Sequence, residues 1–203
     1  MFFPIFTTIA IVFAAFSFYM KRSVRNVDKD NREFWEKELR ANSVRRQPLT
    51  DIVYIEPDLS ALPFDDSSTD ENIIDYQNRI RALKDKKIVN LSGISNTDLK
   101  LKYGAANLDY LSSCDENYME LVKNLYLWAN YLLNEGKTQE ARQILEYGAT
   151  LPTDVKAHYK LLADLYVEDF DFEALDRLTE AAKKIPSSAG EGIVEMLQGI
   201  NVV

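Results

Sequence analysis

The chain has 203 residues, a single cysteine and a formal net charge of −8. This length is sufficient for one domain with a hydrophobic core and additional segments, and one cysteine excludes an internal disulfide. The negative charge argues against binding to nucleic acid, because phosphate backbones attract basic proteins.

The chain begins with an apolar run of nineteen residues, from Phe2 to Met20, that contains no charged side chain. A helix of that length nearly spans the roughly 30 Å hydrocarbon core of a bilayer. Residues 1–20 are therefore predicted to form a single transmembrane anchor. A cleaved signal peptide is the alternative, but no basic residue precedes the run, and Phe16 and Tyr19 are bulky where a cleavage site prefers small residues.

Residues 21–47 form a basic segment directly after the apolar run, as a juxtamembrane helix or a solvated stalk. Residues 21–48 carry nine Lys or Arg against five acids, giving +4, whereas residues 49–203 carry fifteen against twenty-seven, giving −12. Because cationic flanks stay in the cytoplasm, we expect a single-pass membrane protein with its N-terminus outside and its C-terminal domain in the cytoplasm. The residues expected to meet anionic headgroups are Lys21, Arg22, Arg25, Arg45 and Arg46.

Residues 48–96 contain only one short helical pattern. Pro48 and Pro57 bracket a β-prone run, and prolines at both ends favour an extended segment. The acidic and polar stretch from Pro63 to Asn72 is typical of a flexible loop. Helical spacing returns from Ile73 to Lys87, so this part is predicted to hold an extended segment, an acidic loop and one helix.

Helical spacing dominates residues 97–203. A helix is expected from residue 97 to Ser112, and Ser113 with Glu116 has the spacing of a capping box at the start of the next helix. Beyond Pro186, a final helix is predicted to cover the exposed end of the helical stack.

One pattern occurs twice between Leu125 and Pro186. Each copy has large and small residues on one face of a first helix, followed by small and aliphatic residues and a proline around a second helix. Small residues allow two helices of a hairpin to approach closely. The matched positions are Leu125, Trp128, Ala129, Leu132, Ala141, Leu145, Gly148 and Pro152 in the first copy, and Tyr159, Leu162, Ala163, Tyr166, Ala174, Leu178, Ala181 and Pro186 in the second.

This unit resembles a tetratricopeptide repeat, whose period is about 34 residues, and the two copies start 34 residues apart, at Leu125 and Tyr159. The small residues that flank the turn are twelve apart in the first copy and eleven in the second, which predicts a second turn one residue shorter. An ordinary helical bundle without repeat ancestry is the alternative. The resemblance implies an all-α protein in which residues 97–203 form a short TPR-like hairpin stack with a C-terminal capping helix.

Proteins of this family bind other proteins more often than they catalyse reactions. The resemblance therefore implies a membrane-anchored interaction scaffold or adaptor, and the sequence does not identify its protein partner. A structural or assembly subunit, permanently packed against another membrane protein, is the alternative. In the family the first helix of each repeat lines the inner groove, and the family's clamp for a C-terminal carboxylate is incomplete here. The groove positions expected to bind a partner are Lys123, Tyr126, Asn130, Lys160 and Asp164.

The sequence contains no motif for catalysis. His158 is the single histidine and has no accompanying nucleophile motif, and Cys114 has neither a basic neighbour nor a second metal ligand in the sequence. Asp169, Asp171 and Glu173 lack the glycine turn of a calcium loop, and the seven glycines form no phosphate-binding motif. We therefore predict a protein that is not an enzyme and has no catalytic site, metal site, cofactor or small-molecule substrate.

Overall fold

The computed structural model describes residues 3–200, with side chains for residues 11–22 and 29–200. This part of the chain is helical, and its only β pairing is an isolated antiparallel bridge between Ile55 and Ile88. The all-α class is thus confirmed. Two short 3-10 helices are Leu59–Ala61 and Ala105–Asn107. The α-helices are α1 (Phe3–Ser43), α2 (Glu71–Arg81), α3 (Asn96–Tyr103), α4 (Leu108–Asn134), α5 (Thr138–Thr150), α6 (Lys156–Glu168), α7 (Phe172–Ala182) and α8 (Ala189–Ile200).

The first helix corrects the predicted membrane anchor, of which residues 1–2 lie outside the described part. α1 has 41 residues and continues past the apolar run to Ser43, and from Lys21 onward it is rich in charged residues. Within residues 3–200, no helix combines the length and the apolar character that crossing a membrane requires. The predicted transmembrane helix is therefore wrong. The single-pass localisation, with the N-terminus outside and the C-terminal domain in the cytoplasm, is wrong with it.

The chain divides into two compact units. The first unit comprises Met1–Pro48 and Ser95–Leu108, and the second comprises Leu49–Ile94 and Asp109–Val203. Each unit is thus assembled from two segments that are separated in the sequence.

A buried asparagine helps hold the first unit together. Asn107 donates through Nδ2 to the main-chain oxygens of Gln47 and Tyr103, both at 2.8 Å, and its Oδ1 accepts from Arg46 Nε at 2.8 Å. Gly104 lies beside this network with φ of +85°, and a Cβ there would come within 2.3 Å of the main-chain oxygen of Arg45. Glycine is therefore required for the chain to pass this point.

Three helix boundaries differ from those predicted. α3 ends at Tyr103, because Gly104 leaves the helical conformation, rather than reaching Ser112. α4 then starts at Leu108 and runs through Ser113, so the predicted capping box is not used. The helix expected from Ile73 to Lys87 is shorter, because α2 ends at Arg81.

The second unit has one hydrophobic core, to which α4 contributes its predicted apolar face. Leu125, Trp128 and Leu132 are at most 3% exposed. The ring of Phe64 packs on Trp128 with centroids 5.5 Å apart, so the segment before α4 also enters the core. Further core residues from that segment are Leu62, Ile73, Ile80, Leu83 and Ile88.

The turns of the two hairpins, α4–α5 and α6–α7, have the same hydrogen bonds 34 residues apart. In each, a main-chain N–H donates at 2.8 Å to the carbonyl oxygen five residues earlier, from Lys137 in the first turn and from Asp171 in the second. The residue before each donor has a positive φ, 74° at Gly136 and 57° at Phe170. These are the features of a Schellman motif, and the two turns are equal in length.

Equal turns correct the predicted alignment, in which the second turn was one residue shorter. α5 and α7 begin 34 residues apart, so Ala141 corresponds to Leu175 rather than to Ala174. The buried positions of the two helices then coincide: Ala141 with Leu175, Ile144 with Leu178, Leu145 with Thr179 and Gly148 with Ala182. The resemblance to the tetratricopeptide family remains a prediction.

Candidate functional site

The five residues predicted to bind a partner lie on solvent-facing parts of α4 and α6. Lys123, Tyr126 and Asn130 are spaced three and four residues apart, so they follow one another along one side of α4. Lys160 and Asp164 are one turn apart on α6, and their side chains pair with each other at 2.7 Å. The two lysines are exposed and the other three residues are half-buried.

A cleft of about 500 Å³ opens between α4 and Val155, the residue that precedes α6. It brings together two of the predicted residues, Lys123 and Tyr126. Asn130, Lys160 and Asp164 are not part of its lining. The lining residues are Asp115, Glu116, Met119, Glu120, Lys123, Tyr126 and Val155.

The helical period explains why α4 can supply both a core face and this cleft. Glu116, Met119, Lys123 and Tyr126 recur at three- and four-residue spacing, which places them on one stripe of the helix. The buried stripe lies on another side and contains Tyr118, Leu121, Leu125 and Trp128. Met119 faces solvent with 44% of its surface exposed. Sequence reasoning missed Met119, although the same spacing that selected Lys123 and Tyr126 also includes it.

The charges around the cleft are mainly negative. Its lining has three carboxylates and one ammonium group. Asp115 is already engaged, because its Oδ1 accepts from the main-chain N–H of Leu91 at 2.9 Å. Arg79 of α2 has a raised pKa, chiefly through its ion pair with Asp75 and to a smaller extent through Glu120. Asp75 therefore balances most of the positive charge of Arg79. The carboxylate of Glu120 still adds negative charge to the cleft.

A buried amide fixes the position of Glu120. Asn124 is 0% exposed, and its Nδ2 donates at 2.7 Å to the main-chain oxygen of Glu120 and at 2.8 Å to the Oε1 of that carboxylate. Among the described residues Asn124 Oδ1 finds no hydrogen-bond partner. An asparagine within a buried helical stripe was the only sequence signal for this contact, and the sequence analysis did not use it.

The acidic residues considered for a cation site instead bind an arginine. Arg142 of α5 pairs with Asp169 at 2.5 Å and with Asp171 at 3.2 Å. Its guanidinium also lies over the ring of Tyr166, 4.9 Å from the centroid. These carboxylates therefore connect the two hairpins, and within residues 3–200 no group of three or more His, Cys, Asp or Glu side chains could hold a metal ion.

The histidine and the cysteine are both buried. His158 is 1% exposed, and its Nε2 lies 2.7 Å from the main-chain oxygen of Leu145. Burial lowers the pKa of His158 to about 4, so the ring is neutral near pH 7 and Nε2 is the donor. Cys114 is also buried, and burial raises the pKa of its thiol. Neither group is placed to meet a ligand from solvent.

The basic residues predicted to meet lipid headgroups have varied surroundings. Lys21, Arg22, Arg45 and Arg46 are exposed, and Arg46 also donates through Nε to Asn107. The side chain of Arg25 lies outside the described residues. The contact of these residues with lipid headgroups stays a prediction.

Comparison with known proteins assigns no function to the cleft. No family model, curated protein or solved structure matches the chain. The function must therefore be inferred from the chemistry of the cleft and of the helices that form it.

Proposed function

We propose that the chain is a protein-binding scaffold in which the cleft between α4 and Val155, just before α6, receives a segment of a partner protein. Catalysis has no part in this proposal. The site needs only to present a fixed surface, and α4, α6 and their shared core supply one.

The observation that carries the proposal is the combination of apolar and charged groups within one open cleft. Met119, Tyr126 and Val155 offer apolar surface to solvent, while Glu120 and Lys123 offer charge beside it. Ligand-binding clefts commonly combine apolar walls with a few placed polar groups, and tyrosine and methionine are enriched where proteins contact one another.

The tetratricopeptide resemblance supports the same surface. In that family the first helix of each repeat lines the binding groove, and α4 and α6 are the first helices of the two hairpins. Three predicted groove residues outside the cleft, Asn130, Lys160 and Asp164, would then extend the contact along the same side.

Site-specific photo-crosslinking tests this proposal. A photoreactive amino acid replaces Lys123 or Tyr126 in the full chain, and Glu173 on α7 is the control because its side chain is 94% exposed and outside the cleft. We expect protein adducts of discrete mass from the two cleft positions and none from the control. Equal labelling at all three positions, or no labelling in the cleft, would contradict the proposal.

A second candidate function, a structural subunit packed permanently against another protein, is favoured by the exposed rings of α1. Phe13, Phe16 and Phe18 are 59% to 71% exposed, and exposed apolar surface of this kind marks interaction sites. We expect the full chain alone to self-associate during sedimentation and a Phe13→Ser, Phe18→Ser variant to be monomeric. A monomeric unaltered chain would exclude this candidate.

A further inference from the structure

We infer that the cleft selects partner segments in which an arginine or lysine stands next to an apolar side chain, with Glu120 as the anchoring carboxylate. This inference rests on the proposed function and adds the chemistry of the partner. The apolar part of the cleft contacts the apolar side chain, and the acidic part binds the arginine or lysine.

The apolar part suits a side chain of variable shape. Met119 is unbranched and flexible, so its thioether can adapt to different apolar partners. Tyr126 adds a more rigid ring, and Val155, the residue before α6, completes the apolar lining. The aliphatic stem of an arginine or lysine can also lie on such a surface while its charged end remains near solvent.

The acidic part suits a cation and repels an anion. Three carboxylates in the lining outnumber the single ammonium group of Lys123, and residues 49–203 carry a formal charge of −12. A basic segment is therefore attracted at long range and again within the cleft. An acidic segment meets like charges at both stages.

Glu120 is the best-prepared of the three carboxylates. Asp115 already accepts a main-chain hydrogen bond, and Glu116 is exposed at the rim. Glu120 is half-buried, and its carboxylate accepts one hydrogen bond, at 2.8 Å, from the buried amide of Asn124; the same amide also donates to the main-chain oxygen of Glu120. A carboxylate that is already held in place loses little conformational freedom when a guanidinium or ammonium group binds it.

Three synthetic peptides of equal length test the chemistry by fluorescence anisotropy with the full chain. The first alternates arginine with leucine, the second replaces arginine with glutamate, and the third replaces leucine with serine. We expect binding by the first peptide, binding weaker by about tenfold or more for the third, and none by the second. Binding of the acidic peptide as tightly as the basic one would overturn the inference.

Matched charge variants locate the site. Glu116→Gln with Glu120→Gln removes two negative charges from the cleft, whereas Glu173→Gln with Glu180→Gln removes two from α7, outside the lining. We expect the cleft variant to weaken binding of the arginine–leucine peptide by about tenfold and the α7 variant by less than about twofold. Equal weakening by both variants would show nonspecific charge attraction and overturn the inference. Circular dichroism melting checks that both variants fold.

The crosslinking experiment separates the two proposals. If adducts form at Lys123 and Tyr126 but the arginine–leucine peptide does not bind, the scaffold function stands and the chemistry assigned to its partner is wrong. If no adduct forms, the scaffold function fails whatever the peptides do. Sequencing the crosslinked partner segment should show a basic residue beside an apolar one, and an acidic segment there would contradict the inference directly.

Discussion

At the residue scale, a phenylalanine with a left-handed backbone closes the second hairpin where the first hairpin has glycine. Phe170 has φ of 57° and is 80% exposed, so its ring contributes little burial to offset the strained backbone. A left-handed conformation costs an L-residue about 1 to 2 kcal/mol. Gly136 has φ of 74° without this cost, and apart from its chain neighbours no residue lies within 4 Å of a Cβ built there.

Exchanging these residue types tests the equivalence of the two turns. Phe170→Gly relieves the strain but adds disorder to the unfolded chain, so the free energy of unfolding should rise by up to about 1 kcal/mol. Gly136→Ala should lower it by about 1 kcal/mol, because alanine cannot adopt this conformation without strain. Urea unfolding followed by circular dichroism measures both changes. A clear loss of stability in Phe170→Gly would mean that the ring has a structural contact.

His158 gives the fold a specific dependence on pH. Its ring packs so closely on α5 that a Cβ at Gly148 would lie 2.2 Å from Cε1. Burial lowers the pKa of this histidine from 6.5 to about 4. Between these values the unfolded chain binds a proton and the folded chain does not, so stability falls as the pH falls through this window and is constant above it.

The free energy of unfolding should therefore be about 2 kcal/mol lower at about pH 5 than at about pH 7, because His158 is protonated only in the unfolded chain in this range. The lowered carboxylate pKa values act mainly below their usual values, 3.8 for Asp70 and 4.5 for Glu38, and therefore change stability little between pH 7 and pH 5. Because His158 is the only histidine, His158→Gln should be less stable overall but nearly insensitive to pH here. An equally steep dependence in that variant would assign the effect to another group.

At the element scale, one carboxylate ends the acidic loop, begins α2 and attaches this helix to α4. Asp70 Oδ1 accepts from the main-chain N–H groups of Asn72 and Ile73, at 2.9 and 3.3 Å. Its Oδ2 accepts from the hydroxyl of Tyr131 at 2.8 Å. A side-chain cap of this kind stabilises a helix start by about 1 kcal/mol, and the additional bond positions α2 against the hairpins.

Two isoleucines of α2 test how strongly this helix contributes to the core. Ile80 is 0% exposed and Ile74 is 39% exposed. Ile80→Ala should lower the free energy of unfolding by about 2 to 5 kcal/mol, because it leaves a cavity, whereas Ile74→Ala should change it by less than about 1 kcal/mol. Chemical denaturation of the full chain measures both. Similar losses in the two variants would contradict the packing of α2 described above.

At the scale of the second unit, α8 packs against both α6 and α7. Ile193 and Leu197 place their side chains in the core with 0% exposure. In stacked hairpins, a terminal helix of this kind covers apolar surface that has no following repeat.

Removing residues 189–203 should therefore lower the melting temperature strongly, since two buried aliphatic side chains alone contribute several kcal/mol. Gln198→Ala, on the exposed side of α8, is the matched control and should melt close to the unaltered chain. Circular dichroism melting records both. A truncated chain with an unchanged melting curve would show that α8 contributes no stability.

The sequence by itself determined the helical class and the inner face of α4. Apolar residues at three- and four-residue spacing specify which side of a helix is buried, and Trp128, Leu125 and Leu132 are buried as that spacing predicts. It also selected Lys123 and Tyr126 for the open side of α4. Local periodicity carried this information, because it depends only on residues within a few turns of one another.

The tertiary structure alone decided which distant segments join these helices. It placed Phe64 on Trp128 and stopped α3 at Gly104, where the backbone of Arg45 leaves no room for a side chain. The sequence also did not predict the cleft, because Val155 lines it together with α4 but is not part of that helix. These features depend on contacts between residues far apart in the chain, and such contacts leave no periodic trace in a single sequence.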